Sequence, residues 1–386
     1  MAGKNTISPF FTYIFCIVAY FFAIFTNEVF IQVYLYEVDP TFTERDGIVF
    51  FKICGYIAAT VILLFFVRVF AFKKMIICST FLYLLSVFNI IFVEVSHEIA
   101  LIYFFVYSAS TIIVSVLILG YVLHDDRIEN NYSISVYFFT ISGAYIIAET
   151  FEYFMISSTS FLVTELMVAN IIPIGGVMLV LMLSPIFRQK INLDEYRFFA
   201  VIARMEIEIL VGFAVFYVVM VVQDGYEVYA LADSLTIFED ITKKYIRLCS
   251  VITALVLTTI YMPRMNKHKI SIECIIVLTL MFVSMPYWGK YSLSTIVGRV
   301  VLIASLYTLL ACSVLLLAEK FKGINLFNSL SIYALGCSFG YYCGYITINT
   351  SENTLGVNGF LISICFVLLG LLFYYSYLFK KYKLYR

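Results

Sequence analysis

Charged side chains are scarce in this chain of 386 residues, at 13% against about 25% in an ordinary globular domain. That deficit excludes a conventional water-facing surface. Histidine is scarcer still: His97, His124 and His268 stand singly at the edges of apolar runs and form no ligand cluster, so metal catalysis has no foothold. The nine cysteines are odd in number, contain no CxxC pair and all fall inside apolar runs. They read as small packing residues rather than a disulfide or metal framework. No GxxxxGK[ST] loop occurs, which argues against ATP-driven transport by this chain alone. No cofactor and no nucleic-acid partner is expected.

Apolar sequence is abundant instead. Hydrophobic residues make up 63% of the chain and mean hydropathy is +0.98. A spanning helix needs about 20 mostly apolar residues to cross about 30 Å of hydrocarbon. Twelve such segments are legible, at 10–36, 47–68, 73–93, 99–123, 132–157, 160–186, 198–223, 236–260, 270–289, 291–318, 324–348 and 357–379. Backbone groups in lipid must bond within their own segment, so each is a helix. The first run is too long for a signal-peptide core and counts as a span.

The basic residues set the orientation. Seventeen of 25 Lys and Arg fall in alternate gaps, and only Arg45 and Lys290 fall in the others. Positive charge stays on the cytoplasmic side, which puts both termini there. The short basic loops lie where anionic headgroups would be. The other side is acidic, with Glu37, Asp39, Glu44, Asp46, Glu94 and Glu98 among its residues.

Six spans, the short charged connection from Arg188 to Arg197, then six more: this arrangement resembles the major facilitator superfamily over the whole chain. The family's loop between helices two and three typically reads Gly-x-x-x-Asp-Arg-x-Gly-Arg-Lys. Here the stretch from Phe66 through Arg68 to Lys73 and Lys74 keeps the basic residues but lacks the aspartate and glycines, and Tyr261 to Lys269 is likewise only a basic turn. The resemblance implies an all-α polytopic membrane protein with twelve transmembrane helices in two six-helix bundles. The halves would be 1–187 and 198–386, joined by a cytoplasmic linker 188–197. Gly336, Gly340 and Gly344 recur every four residues, as do Gly55 and Ala59. Such small-residue stripes let membrane helices approach closely, either across the halves or inside each one. Pro173 with Gly175 and Gly176 is expected to kink the sixth span.

Ionisable residues at bilayer depth are costly and point to function. Glu149 and Glu152 share a helix face, and Lys243, Lys244 and Arg247 enter the eighth span at similar depth. The resemblance makes spans five and eight neighbours, which suggests an interdomain gate; the alternative pairs Asp240 with the lysines of its own helix. The resemblance also places spans one, four, seven and ten around a central substrate cavity. Those spans carry Asn27 and Glu28, then Ser108, Thr111 and Ser115, then Glu206 and Glu208, and finally Arg299.

On a continuous helix Arg204 and Glu208 stand at i, i+4 and can neutralise each other, leaving Glu206 without a local partner. Glu206 or Glu28 could then carry a coupling proton, and Arg299 could meet a substrate carboxylate or phosphate. Arg299 could instead pair with either glutamate. The three hydroxyls share a face for hydrogen bonds to substrate, or bond their own helix carbonyls. Lys52 reads as a snorkelling residue near a helix end, and the tyrosines and phenylalanines mostly as lipid-facing bulk and interface anchors. Together these features lead to a monomeric secondary transporter in the plasma or inner membrane. Its expected cargo is a small polar or anionic metabolite, moved by alternating access with proton coupling. The alternatives are efflux of amphipathic cations or drugs, and a non-transporting sensor or scaffold. A membrane-embedded enzyme lacks a catalytic constellation.

Overall fold

The computed structural model describes residues 9–38, 45–66, 71–92, 97–125, 130–157, 168–183, 198–222, 248–287, 293–351 and 356–382, and among them there is no strand. Helices run α1 Pro9–Val38, α2 Arg45–Phe66, α3 Phe72–Phe92, α4 His97–His124, α5 Asn130–Ser157 and α6 Ile171–Leu183. Next come α7 Phe198–Ala203 and α8 Glu206–Met220, then α9 Leu248–Arg264. The remainder are α10 Lys267–Ser284, α11 Leu293–Lys320, α12 Ile324–Ser351 and α13 Gly356–Tyr382. Each of the twelve predicted spans overlaps a described helix. By length and apolar content α1, α2, α3, α4, α11 and α13 are able to cross a bilayer, and shorter apolar stretches occupy α5, α6 and α9.

The sixth span is interrupted beside its proline: residues 168 and 169 are helical, Asn170 is a turn, and α6 begins after it with Pro173 in its first turn. One local reading of the sequence gives way to the structure, because the seventh span is not continuous. The amides of Arg204 and Met205 bond three residues back, to Val201 and Ile202, and Met205 sits at φ −107°, ψ 11°. The helix closes there and restarts, so Glu206 and Glu208 fall in the first turn of α8. A helix N-terminus is where negative charge is favoured.

The described helices group into two compact units. One contains α1–α4, α5 from Thr140, α6 and the start of α12 to Ser331; the other contains α5 to Phe139, α7–α11, α12 from Ile332, and α13. In the first, α4 packs along α2 and α3, and α6 along α1 and α3. In the second, α10 packs on α11 and α13, and α8 on the same two helices.

Both small-residue stripes serve contacts inside one unit. A Cβ built at Gly55 would stand 2.4 Å from the Phe105 carbonyl oxygen on α4. At Gly340 it would stand 2.1 Å from the Phe213 carbonyl oxygen on α8, while Gly336 and Gly344 face Ile209 and Met220 of α8. These glycines let backbone lie on backbone. Gly340→Ala should therefore lower the melting temperature of the detergent-purified protein, because forcing a methyl into such a contact costs about 1–3 kcal/mol. Gly143→Ala and Gly370→Ala, with nothing within 4 Å, should be neutral or slightly stabilising. Equal melting temperatures for all three variants would refute the close-contact account.

Candidate functional site

The first unit contains a polar cluster built outward from α1. Asn27 is fully buried, and a buried amide must find partners. Its Nδ2 donates to the Tyr83 hydroxyl of α3 at 3.1 Å, and its Oδ1 accepts from Asn170 at 3.0 Å. Asn170, in the turn ahead of α6, also donates to Thr26 Oγ1 at 2.8 Å. The Thr26 hydroxyl donates back to the Phe22 carbonyl at 2.8 Å. Three elements are thereby locked in register, and the next residue along α1 is Glu28.

Both oxygens of Glu28 are engaged. The Tyr107 hydroxyl of α4 donates to Oε2 at 2.5 Å, and Lys52 of α2 makes an ion pair with Oε1. The Lys52 ammonium stands 5.2 Å from the centroid of the Phe104 ring and 5.7 Å from that of Tyr107. That arrangement adds cation–π attraction to the ion pair. Side-chain exposure is 16% for Lys52 and 23% for Glu28, so the pair is sheltered yet reachable. Gly55 explains the geometry: its contact with α4 brings α2 close, and Lys52, one turn earlier on the same face, reaches over the α4 aromatics. Tyr20, Tyr83, Tyr103 and Tyr107 are buried around this cluster. Phe65, Phe92 and Phe366 remain exposed in the expected way.

Lys52 is the site residue that the sequence reading passed over. It lies 24 positions from its partner, a separation with no helical periodicity to reveal it. The available signal was Gly55, three residues further along. On α4 the three hydroxyls diverge. Thr111 and Ser115 donate to carbonyls of their own helix, at 2.8 and 2.5 Å. Ser108 Oγ is buried beside Tyr56.

The second unit carries its charges at the basic end. Glu208 is fully buried; its Oε1 accepts from Lys320 of α11 at 2.5 Å, while its Oε2 has no hydrogen-bond partner among the described residues. The break before α8 is the reason that Glu208 takes Lys320 rather than Arg204. Glu206 is not without a partner, since the Tyr374 hydroxyl of α13 donates to it at 3.0 Å. Beside them Lys267 pairs with Glu319, and His268 Nδ1 lies 2.8 Å from the Tyr375 hydroxyl. Arg299, half-buried near the other end of α11, makes no ion pair among the described residues. Within its own unit it does not take Glu206 as a partner. Of the expected gate, Lys243, Lys244 and Arg247 and the side chains of Glu149 and Glu152 lie outside the described residues.

Two measurements check this geometry. Glu28→Gln and Lys52→Met should each lower the melting temperature, and the double variant should recover most of the loss. Breaking a sheltered pair strands a charge at a cost of about 3–5 kcal/mol, whereas removing both partners does not. Additive losses would exclude the pair. His268 precedes the ninth predicted span; burial, with Lys320 beside it, lowers its pKa to about 4. The unfolded chain then binds a proton that the folded chain refuses. Stability is complete above about pH 6.5 and declines as pH falls toward 4. His268→Gln should flatten that decline in a thermal-unfolding series, and an unchanged slope would rule it out as the source.

No family model matches the chain. An uncharacterised protein, RP255, of Rickettsia prowazekii (strain Madrid E) is 27% identical over 198 residues, spanning 51% of each chain. Among solved structures, the E. coli fucose:proton symporter FucP superposes with a TM-score of 0.73 at 14% identity, covering 94% of this chain and 97% of that one. The proton:xylose symporter XylE superposes at 0.75 with 13% identity, covering 96% and 94%. The human organic anion transporter MFSD10 (TETRAN) superposes at 0.68 with 10% identity, covering 94% and 98%. The chain is thus an all-α, multi-pass membrane protein with the fold of major facilitator superfamily transporters.

Proposed function

We propose that the protein is a secondary transporter that moves a small polar or anionic metabolite by alternating access, coupled to protons. The observation that carries this reading is the Glu28–Lys52 pair inside the spanning helices of the first unit. Charge at that depth is expensive, and selection keeps it where an ion or substrate must pass. The functions of the structural neighbours lend support: two are proton symporters for sugars and one is an organic anion transporter.

Arg299 is the group for a carboxylate or phosphate on the cargo, since no carboxylate among the described residues occupies it. Glu28 and Glu206 are the candidates for the coupling proton. Glu28 has the stronger claim, because taking a proton there would release Lys52 and change the local charge balance. We place the protein in the plasma or inner membrane as a monomer, with both termini cytoplasmic. Efflux of amphipathic cations is the second reading, favoured by the cation already held against Glu28 and two rings.

A stability screen of metabolites, followed by uptake into proteoliposomes under an imposed pH gradient, tests the function. An anionic cargo should bind at least about tenfold more weakly to Arg299→Ala, the scale of one lost charged hydrogen bond. Glu28→Gln should abolish gradient-driven accumulation. Full accumulation by Glu28→Gln would transfer the coupling role to Glu206, where Glu206→Gln gives the same test. Stabilisation by lipophilic cations alone would favour efflux.

A further inference from the structure

The Glu28 cluster has the composition of a cation site: one carboxylate, two ring faces and further phenols. Tyr56, Tyr83, Tyr103 and Tyr107 all lie within electrostatic reach of Glu28. Such a set suits an organic ammonium group, which takes charge from the carboxylate and attraction from the rings. The cation present is the chain's own. Lys52 makes one hydrogen bond, to Glu28, and turns its remaining surface toward Phe104 and Tyr107.

Further polar groups lie beside the pair, the Tyr103 hydroxyl against Tyr83 and Ser108 Oγ against Tyr56. One observation separates this arrangement from an ordinary structural ion pair: the resident cation has somewhere to go. Lys52 lies seven residues into α2, which begins at Arg45, so it stands about 10 Å from that helix end at 1.5 Å per residue. A lysine stem of that reach can return its ammonium to the interface. Glu28 would then be open to a ligand through its exposed edge.

We propose that this cage is a binding site for an organic ammonium group, held at rest by Lys52, and that an amine-bearing substrate binds by displacing that side chain. The proposal rests on the transport reading and narrows its cargo to polar metabolites carrying an amine. Lys52 acts as a tethered competitor, whose high effective concentration keeps weak amines out and leaves the site to ligands that add contacts of their own.

The test replaces the tether. Lys52→Ala removes a segment matching n-propylammonium, so n-propylammonium chloride should raise the melting temperature of that variant by several degrees. It should not stabilise the wild type or the Lys52→Ala/Glu28→Gln double variant, and uncharged 1-propanol at the same concentration should stabilise none of them. No effect on Lys52→Ala, or an equal effect in the double variant, would overturn the proposal. If Lys52→Ala folds only when the amine is present during purification, that rescue is itself the expected result.

The wild-type chain supplies an independent reading. A stabilising metabolite should carry an amine and lose its effect in Glu28→Gln. A ligand that lacks an amine, or whose binding survives Glu28→Gln, overturns the ammonium site and leaves the transport reading intact. Amine binding without flux into proteoliposomes would count against transport alone.

Discussion

Hydrocarbon solvates charge poorly, and much of this structure follows from where its few inward charges find partners. Glu28 takes Lys52 and Glu208 takes Lys320, and in both pairs the lysine comes from another helix of the same unit. Losing one member of such a pair strands a charge at a cost of about 3–5 kcal/mol. An exposed pair such as Lys269–Glu273, 3.9 Å apart on one turn of α10, is worth about 0–1 kcal/mol. The two sheltered pairs therefore constrain packing, and the surface pair merely decorates a helix. Glycine is the enabling residue in the first unit: Gly55 lets α2 lie on α4, without which Lys52 would not reach over the ring faces to α1.

The polar chain that begins at Asn170 shows how position becomes chemistry. Asn170 fixes Thr26 and Asn27, Asn27 fixes Tyr83, and the same turn of α1 then presents Glu28 to Tyr107 and Lys52. Hydrogen bonds of this kind hold a site rigid because the cost of leaving a buried amide unpaired is steep. Glu28 can therefore keep its place while its cation exchanges, which a binding site requires and a flexible loop would not offer. In the second unit the glutamates sit at a helix start near the basic end, and Glu206 bonds a tyrosine hydroxyl. On these grounds the coupling role fits Glu28 better than Glu206.

Hydropathy alone revealed the architecture, since about 20 apolar residues per span is a demand of the bilayer rather than of any particular packing. The site was legible only in part. Asn27 and Glu28 stood out as polar residues inside an apolar run, and Ser108 as a hydroxyl on a helix face. Lys52 was misread because its depth suggested snorkelling, and nothing local shows that a residue on α1 waits for it. The break at Arg204 and Met205 was invisible because no proline or glycine marks it. That break in turn spoiled the expected Arg204–Glu208 spacing, since i, i+4 periodicity holds only on an unbroken helix. Composition likewise does not say which rings face inward, as Tyr83, Tyr103 and Tyr107 do.

The most direct test of this account is isotope-edited infrared difference spectroscopy on the protein in lipid bilayers, wild type minus Glu28→Gln at neutral pH. An ionised carboxylate band assigned to Glu28, lost in the variant and shifted when Lys52 is replaced by methionine, is the predicted result. A protonated carboxylic-acid band that is indifferent to Lys52 would contradict the charged cage on which the proposed transport and ammonium binding both rest.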